Sequence, residues 1–333
     1  MALLAVTNPT LLDLAKASDP NGKIADVIEI LNQNNEILDD MTWQEGNLTT
    51  GTRTTIRTGL PAPTWRKLYG GVQPNKGTTA QITESCGMLE AYAEVDKALA
   101  DLNGNTNAFR LIEDRAHIEG INQELTNTLF NGNETIDPEK FTGFGPRFNN
   151  LSTALNKEVV LDGGGVGSTN FSIWLVVWSP MTVMGIIPKG SKAGMQVEDL
   201  GRVTIENVDT LGGRMEAYRT HYRMDAGLSV KDWRYVVRIC NIDRTLLKKD
   251  YSTGADIVNL MVQAMELIPN LNMGRAVFYM NRTLRSFLRQ QITNKTLNST
   301  LSMDTVAGRR VLAIDSIPVR RVDILASDEA RIT

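Results

Sequence analysis

Apolar and polar residues alternate along several short stretches of this chain, which is the spacing of a strand with one buried face. Residues 89–96 alternate in this way, and residues 276–280 are apolar throughout. From residue 163 to 188 the chain carries no charge, and Pro180 divides this stretch into two β-rich runs, 171–178 and 183–187. We predict that all of these segments are strands, and that the two runs beside Pro180 are buried in a sheet.

Other stretches repeat their apolar residues at three-, four- and seven-residue steps, the spacing of a helix with one buried face. The longest contains Leu111, Ile118, Ile121, Leu125 and Leu129. This spacing predicts a helix over 107–130, ended by Asn131-Gly132, in which Arg110 and Asp114 can pair four residues apart. A further helix is predicted over 257–268, where Pro269 ends it.

The rest of the chain mixes the two spacings without regular strand–helix–strand alternation. Residues 215–224 and 230–240 both alternate and are joined by Asp225-Ala226-Gly227, which predicts a long antiparallel hairpin. Asn281 is predicted to cap a helix. Residues 311–313 and 319–324 are predicted to form two closing strands, and residues 24–37 to form one helix within the first 45 residues. This mixture indicates an α+β fold.

A segment rich in threonine, glycine and proline, residues 46–87, has few large apolar residues. Residues 53–58 and 78–83 can pair as the two sides of a hairpin, but a two-stranded ribbon without a core is marginally stable in water. The alternatives are a disordered or active-site loop and a ribbon that lies on another chain. Trp65, Leu68 and Tyr69 near its tip favour docking on a neighbouring chain.

Composition narrows the function classes. The 333 residues contain 42% hydrophobic residues, enough to bury a core, and carry a net charge of -3 that does not suit a dedicated nucleic-acid binder. Cys86 and Cys240 are too few for a disulfide framework and wrongly spaced for zinc, so we expect reduced thiols. The N-terminal residues do not have the pattern of a secretory signal, and Pro180 argues against a membrane span in the uncharged stretch.

No motif predicts catalysis, a cofactor or a metal site. The glycine cluster at 163–169 lacks the lysine of a phosphate-binding loop and precedes a strand instead of a helix, so we interpret it as a mobile linker. His117 and His221 are the only histidines, which excludes a three-histidine metal site, and both are expected at a surface or interface. The adjacent acids Glu113-Asp114 and Glu198-Asp199 are interpreted as solvated charge.

One helix carries a basic stripe. Arg282, Arg285 and Arg289 are three and four residues apart, opposite the apolar face of the helix that Asn281 caps. Such a stripe is usually solvated. In an assembly, these arginines could instead face acidic groups of an adjacent subunit or a packaged genome. We therefore treat them, together with Trp65, Leu68 and Tyr69, as suspected intersubunit contacts.

The tryptophans Trp174, Trp178 and Trp233 are expected in the core or at an interface.

Two passages resemble a known family. Residues 227–243, Gly-Leu-Ser-Val-Lys-Asp-Trp-Arg-Tyr-Val-Val-Arg-Ile-Cys-Asn-Ile-Asp, and the passage 130–144 after the long helix are similar to those of major capsid proteins of tailed bacteriophages, particularly short-tailed ones. The resemblance implies a Hong Kong 97-type fold. It divides the chain into an N-terminal arm (1–45), an extended loop (46–87), a peripheral domain with a spine helix (88–157 and 213–250) and an axial domain (158–212 and 251–333).

The resemblance also implies a function without catalysis. Copies of the chain would assemble as hexamers and pentamers into an icosahedral head around double-stranded DNA. Their contact with this DNA would be weak and non-specific. The resemblance further implies scaffold, cement or decoration, and portal proteins as partners. It implies no contact with a membrane. The protein would reside in the virion after assembly in the bacterial host cytoplasm. Two alternatives remain open: a nanocompartment shell that encloses protein cargo, and a small-molecule enzyme that uses the glycine cluster.

Overall fold

Thirteen strands and six α-helices occupy the residues that the computed structural model describes, which are 35–102, 106–206, 212–247, 254–294, 301–306 and 309–333. The strands are β1 (Trp43–Glu45), β2 (Gly51–Gly59), β3 (Thr78–Asp96), β4 (Val160–Asp162), β5 (Asn170–Trp178), β6 (Val183–Ile187), β7 (Gln196–Glu206), β8 (Arg214–Val230), β9 (Val236–Asp243), β10 (Arg275–Met280), β11 (Leu301–Val306), β12 (Arg309–Ile314) and β13 (Ile317–Arg321). The helices are α1 (Ile37–Asp40), α2 (Lys97–Asp101), α3 (Thr106–Asn131), α4 (Phe144–Arg147), α5 (Ile257–Leu267) and α6 (Arg282–Asn294). Of the helix predicted over residues 24–37, residues 24–34 lie outside the described part.

The uncharged stretch around Pro180 forms the centre of a mixed sheet, as predicted. Every residue of β5 and β6 is buried. β5 pairs antiparallel with β10 on one side and with β9 on the other, and it meets β6 at Trp178 and Val183. Such largely apolar runs, with the buried polar residues Asn170 and Ser172 as exceptions in β5, suit strands that are covered on both faces. None of the described helices is long and apolar enough to span a membrane.

Aromatic side chains fill the core beside this sheet. Phe130 and Phe144 pack against Trp174 at ring-centroid distances of 6.0 and 5.7 Å, and Phe148 meets the same indole edge-on at 6.1 Å. The predicted helices α5 and α6 join this core after side-chain caps. Thr283 donates its N–H to Asn281 Oδ1 at 3.0 Å, which confirms the predicted cap.

The predicted hairpin across Asp225-Ala226-Gly227 is wrong, because β8 runs straight through these residues. Up to Gly227 it pairs with β3, and from Gly227 it pairs with β6. A Cβ on Gly227 would lie 2.7 Å from the Ser85 carbonyl and 2.9 Å from Cys86 Sγ. The glycine therefore permits a close approach of strands instead of a turn. The long hairpin partner of β8 is β7, in antiparallel register from Glu206 back to Gln196.

The longest predicted helix is confirmed as α3, whose 26 residues span about 39 Å at 1.5 Å per residue. Ile121, Leu125 and Leu129 are buried as predicted. Leu111 and Ile118 are not, with 56% and 38% of their surface exposed. The predicted pairing of Arg110 with Asp114 gives way to tertiary contacts: Arg110 Nη2 lies 2.6 Å from Asp199 Oδ1 of β7.

Both ends of the threonine-rich segment join the central sheet. The Gly46 N–H donates to the Ile187 carbonyl at 2.8 Å, and Cys86 pairs with Gly227. Next to this root, the side chain of Glu84 is 4% exposed and accepts two hydrogen bonds from the guanidinium of Arg147. Arg147 also donates to the Thr142 carbonyl at 3.0 Å. This buried ion pair fixes the root of the segment to the chain that follows α3.

We expect Glu84→Ala to lower the free energy of unfolding by about 3 kcal/mol, because it leaves the Arg147 guanidinium partly buried without its carboxylate. Glu206→Ala is the matched control, since its pair with Arg214 is exposed on both sides and should contribute under about 1 kcal/mol. Chemical denaturation of the unassembled subunit measures both values. Equal losses in the two variants would contradict the role of Glu84.

Candidate intersubunit surfaces

The paired strands β2 and β3 form a ribbon that leaves the body of the subunit, as the sequence predicted. Thr54 pairs with Ile82 and Gly59 with Thr78, and the tip between them, residues 60–77, has neither helix nor strand. Trp65 and Tyr69 are fully exposed and Leu68 nearly so. Tyr69 has a backbone φ of 64°, which bulky residues rarely adopt. The predicted contact residues thus form an apolar tip that nothing within the described subunit covers.

The ribbon is also strongly basic. Between Glu45 and Glu84 the chain contains no acidic residue and five basic ones, namely Arg53, Arg57, Arg66, Lys67 and Lys76. Arg66 and Lys67 are exposed and directly follow Trp65. A partner surface for this ribbon should therefore combine apolar contact with negative charge.

A surface of that kind lies beside α3 on the same chain. Residues 106–140 contain seven acidic and three basic residues. At the C-terminal half of α3 a small pocket of about 120 Å³ is lined by apolar Leu89, Leu125, Phe141 and Met224, together with Glu124, Glu139 and Lys140. We call it the spine pocket. Glu124 pairs with Lys140 at 3.0 Å, so the exposed Glu139 gives the pocket its net negative charge. This charge and the apolar lining complement the ribbon tip.

The three arginines of the predicted stripe share one helix but differ in environment. Arg282 is exposed and forms two hydrogen bonds with Asp323, at 3.1 and 3.0 Å. Arg289 is exposed. Arg285 is partly buried, and burial, followed by the charge of Arg289, lowers the pKa of its guanidinium. The stripe is therefore not simply solvated, because one member forms an ion pair within the subunit and another is partly enclosed.

Strand β13 adds two arginines that the sequence interpretation missed. Arg321 donates to Asp323 Oδ2 at 2.9 Å, and Arg320 lies 3.3 Å from Glu36 and 3.4 Å from Asp40. Asp40 is fully buried, and this burial raises its pKa. The exposed basic spacing along α6 is visible in the sequence. The sequence does not show that β13 and the segment containing Glu36 lie beside α6, because this depends on parallel pairing of β10 with β13.

The glycine cluster is part of the sheet edge and does not form a phosphate loop. Gly163 and Gly165 donate their N–H groups to the carbonyls of Cys240 and Asn241, at 2.8 and 2.7 Å, and Gly164 donates to Asp162 Oδ1 at 2.9 Å. These amides are occupied, so they cannot cradle an anion. The same bonds hold the segment along β9, in contrast to the mobile linker that we expected.

The histidines and Cys240 are the remaining candidate groups, and they contact other residues of the subunit. Among the described residues, no group of three histidine, cysteine or acidic side chains could hold a metal ion. His221 stacks on Tyr92 at 4.4 Å and lies 3.3 Å from Glu90 on the sheet surface, while His117 stacks on Tyr222. Burial raises the pKa of the Cys240 thiol to about 11, so it stays protonated at neutral pH.

Comparison with known proteins gives a consistent result along the whole chain. Residues 19–333 match the family model described as major capsid protein GP7. A chain of the cryo-EM structure of bacteriophage Epsilon15 is 38% identical, with 100% of both chains covered and a TM-score of 0.76. The capsid of bacteriophage JBD30 shares the fold at 11% identity, with 96% of this chain and 99% of that chain covered and a TM-score of 0.51.

A weaker likeness is to the holo-SrpI encapsulin complex of Synechococcus elongatus PCC 7942, at 10% identity and a TM-score of 0.42, with 73% of this chain and 97% of that chain covered. No curated protein matches the chain.

We expect Gly165→Ala to destabilise the subunit by about 1–3 kcal/mol, because its Cβ would lie 2.6 Å from the Asn241 carbonyl and 2.5 Å from Asn170 Oδ1. Gly71→Ala is the control, since no atom lies within 4 Å of its added Cβ. Thermal unfolding tests both. Nucleotide hydrolysis by the wild type that disappears in Gly165→Ala would contradict the structural role of this glycine.

Proposed function

The chain belongs to the major capsid protein GP7 family, and from this membership we propose how its copies form the shell of a phage head. It is a structural protein of the virion with a Hong Kong 97-type fold, and it assembles with itself. The full-length relationship to the Epsilon15 chain at 38% identity carries this conclusion. It also favours a phage head over a nanocompartment or an enzyme.

In our proposal the shell consists of hexamers and pentamers that enclose double-stranded DNA. The chain's net charge of -3 suits a container that touches its genome only weakly and non-specifically. Assembly takes place in the cytoplasm of the bacterial host, with portal, scaffold and cement or decoration proteins as further partners. The protein catalyses no reaction, and its function rests on binding energy spread over several contacts between copies.

Within the subunit, we assign residues 1–45 to an arm and residues 46–87 to the extended loop. Residues 88–157, with α3 and most of β3, belong to the peripheral domain. The ladder between β7 and β8 favours placing β7 in the peripheral domain as well. β9 pairs with β4 and β5, which favours assigning it to the axial domain with β10 and α5.

The ribbon supplies the main contact between copies in this proposal. Its tip inserts Leu68, Trp65 or Tyr69 into the spine pocket of a second copy, while Arg66 and Lys67 face the carboxylates there. The ribbon has no core of its own, so its ordering contributes to assembly and not to the stability of the single subunit. Two observations support this occupant: the full exposure of the apolar tip and the opposite charges of ribbon and pocket.

The first test removes the tip. Replacing residues 60–77 by Asn-Gly joins Gly59 to Thr78 through a tight turn and leaves the root of the ribbon intact. We expect unchanged thermal unfolding of the unassembled subunit and loss of closed shells in electron micrographs, because only docking surface is removed. Changing Trp65, Leu68 and Tyr69 together to serine should act in the same direction. Normal shells from either variant would refute the docking role.

The second test exchanges charges. Lys67→Glu should reduce the yield of shells, since it places a carboxylate beside Glu124 and Glu139 of the second copy. Glu139→Lys should do the same, and the double variant should recover shells because opposite charges meet again. Sedimentation of assembled against unassembled protein measures the yield. Failure of the double variant to recover, with both single variants folded, would place the tip elsewhere.

A further inference from the structure

The five arginines Arg282, Arg285, Arg289, Arg320 and Arg321 lie together, and we call them the arginine cluster. They come from α6 and β13, and Glu36, Asp40 and Asp323 are carboxylates that pair with members of the cluster. Glu36 and Asp40 pair with Arg320, and Asp323 is shared by Arg282 and Arg321. These ion pairs occupy the guanidinium groups of Arg282, Arg320 and Arg321.

Arg285 differs from its neighbours. It forms no ion pair with any described residue, whereas Arg320 and Arg321 do. Its Nε, like those of Arg320 and Arg321, is buried without a hydrogen-bond partner. Arg289, Arg320 and Arg321 repel its charge, while Glu36 attracts it. A partly buried cation among cations is unfavourable unless an anion binds it. Within the described residues, the charge of Arg285 therefore has no paired carboxylate, at a place that an added carboxylate would satisfy.

We infer that the guanidinium of Arg285 binds an aspartate or glutamate side chain of a second copy of the chain when the shell assembles. The inference rests on the shell function proposed above. The arginine is partly enclosed between ion-paired neighbours, so a single carboxylate side chain reaches it more easily than the wide backbone of a DNA duplex. A second copy is also acidic overall, with a net charge of -3. A planar guanidinium matches a carboxylate in two parallel hydrogen bonds.

The inference predicts that one substitution at Arg285 changes the stability of the unassembled subunit and the stability of the shell in opposite directions. Arg285→Gln removes the repelled charge and keeps a polar but shorter side chain. The unassembled variant should unfold at a temperature higher by about 2 °C. Shells formed in the absence of DNA should fall in yield or dissociate at lower denaturant concentration. If Arg285 had a purely structural role within the subunit, its substitution would destabilise both the unassembled subunit and the shell.

Arg331→Gln is the control, because Arg331 is exposed and the substitution changes the net charge equally. A second measurement uses inorganic phosphate as the probe. At constant ionic strength, phosphate should raise the unfolding temperature of the unassembled wild type more than chloride does. This difference should be smaller in Arg285→Gln, which keeps only the general stabilisation by phosphate, than in the wild type and in Arg331→Gln.

Three outcomes would overturn the inference. A lower unfolding temperature of unassembled Arg285→Gln would mean that the subunit itself satisfies the charge. Normal DNA-free shells with reduced DNA content in filled heads would assign the site to the genome. Unchanged stability in both states would mean that no anion binds. Wild-type protein that forms no shells would instead contradict the proposed function, so the two failures can be distinguished.

Discussion

The antiparallel pairing of β3 with β8 is the interaction on which the rest of the subunit depends. Eleven residue pairs join the two strands, from Cys86 and Gly227 to Asp96 and Ala217. Beyond one end, β3 continues into the ribbon and β8 into the central sheet. Along the ladder, α3 packs on one face, where Tyr222 is buried, and β7 extends the free edge of β8. Because one ladder carries both the ribbon and the spine helix, their relative positions are set together.

This arrangement separates the stability of the subunit from the stability of the assembly. The uncharged strands β5 and β6 and the aromatic cluster around Trp174 are buried within one chain, so they stabilise the fold without a partner. The ribbon tip and Arg285 show the reverse. The exposed apolar area of the tip has no partner within the described residues, and the charge of Arg285 has no paired carboxylate there. Both would become favourable against another copy. A shell protein needs this division, since its subunits must fold before they assemble.

Part of the candidate site was predictable because the relevant signal is local. Trp65, Leu68 and Tyr69 stand out as apolar residues in a segment that lacks a core, and the basic character of the ribbon is visible in its composition. Arg285 could be flagged from helical spacing, but its enclosure could not, because Arg320 and Arg321 reach it only through the pairing of β13 with β10. The glycine cluster shows the same limit: its lack of lysine excluded a phosphate loop, whereas the carbonyls that occupy its amides belong to a strand 75 residues or more away in sequence.

Local sequence by itself determined the strands beside Pro180, the extent of α3, the cap at Asn281 and the hairpin of the ribbon, because periodicity, capping and turn residues act over a few positions. Only the tertiary structure decided what Gly227 does, which residue Arg110 pairs with and why Leu111 stays exposed. The sequence Asp225-Ala226-Gly227 has the composition of a turn, yet here its glycine allows β8 to pass close to β3 and β6. Such outcomes depend on which distant strands meet, and pairing between distant strands is a property of the whole chain's packing and not of any short segment.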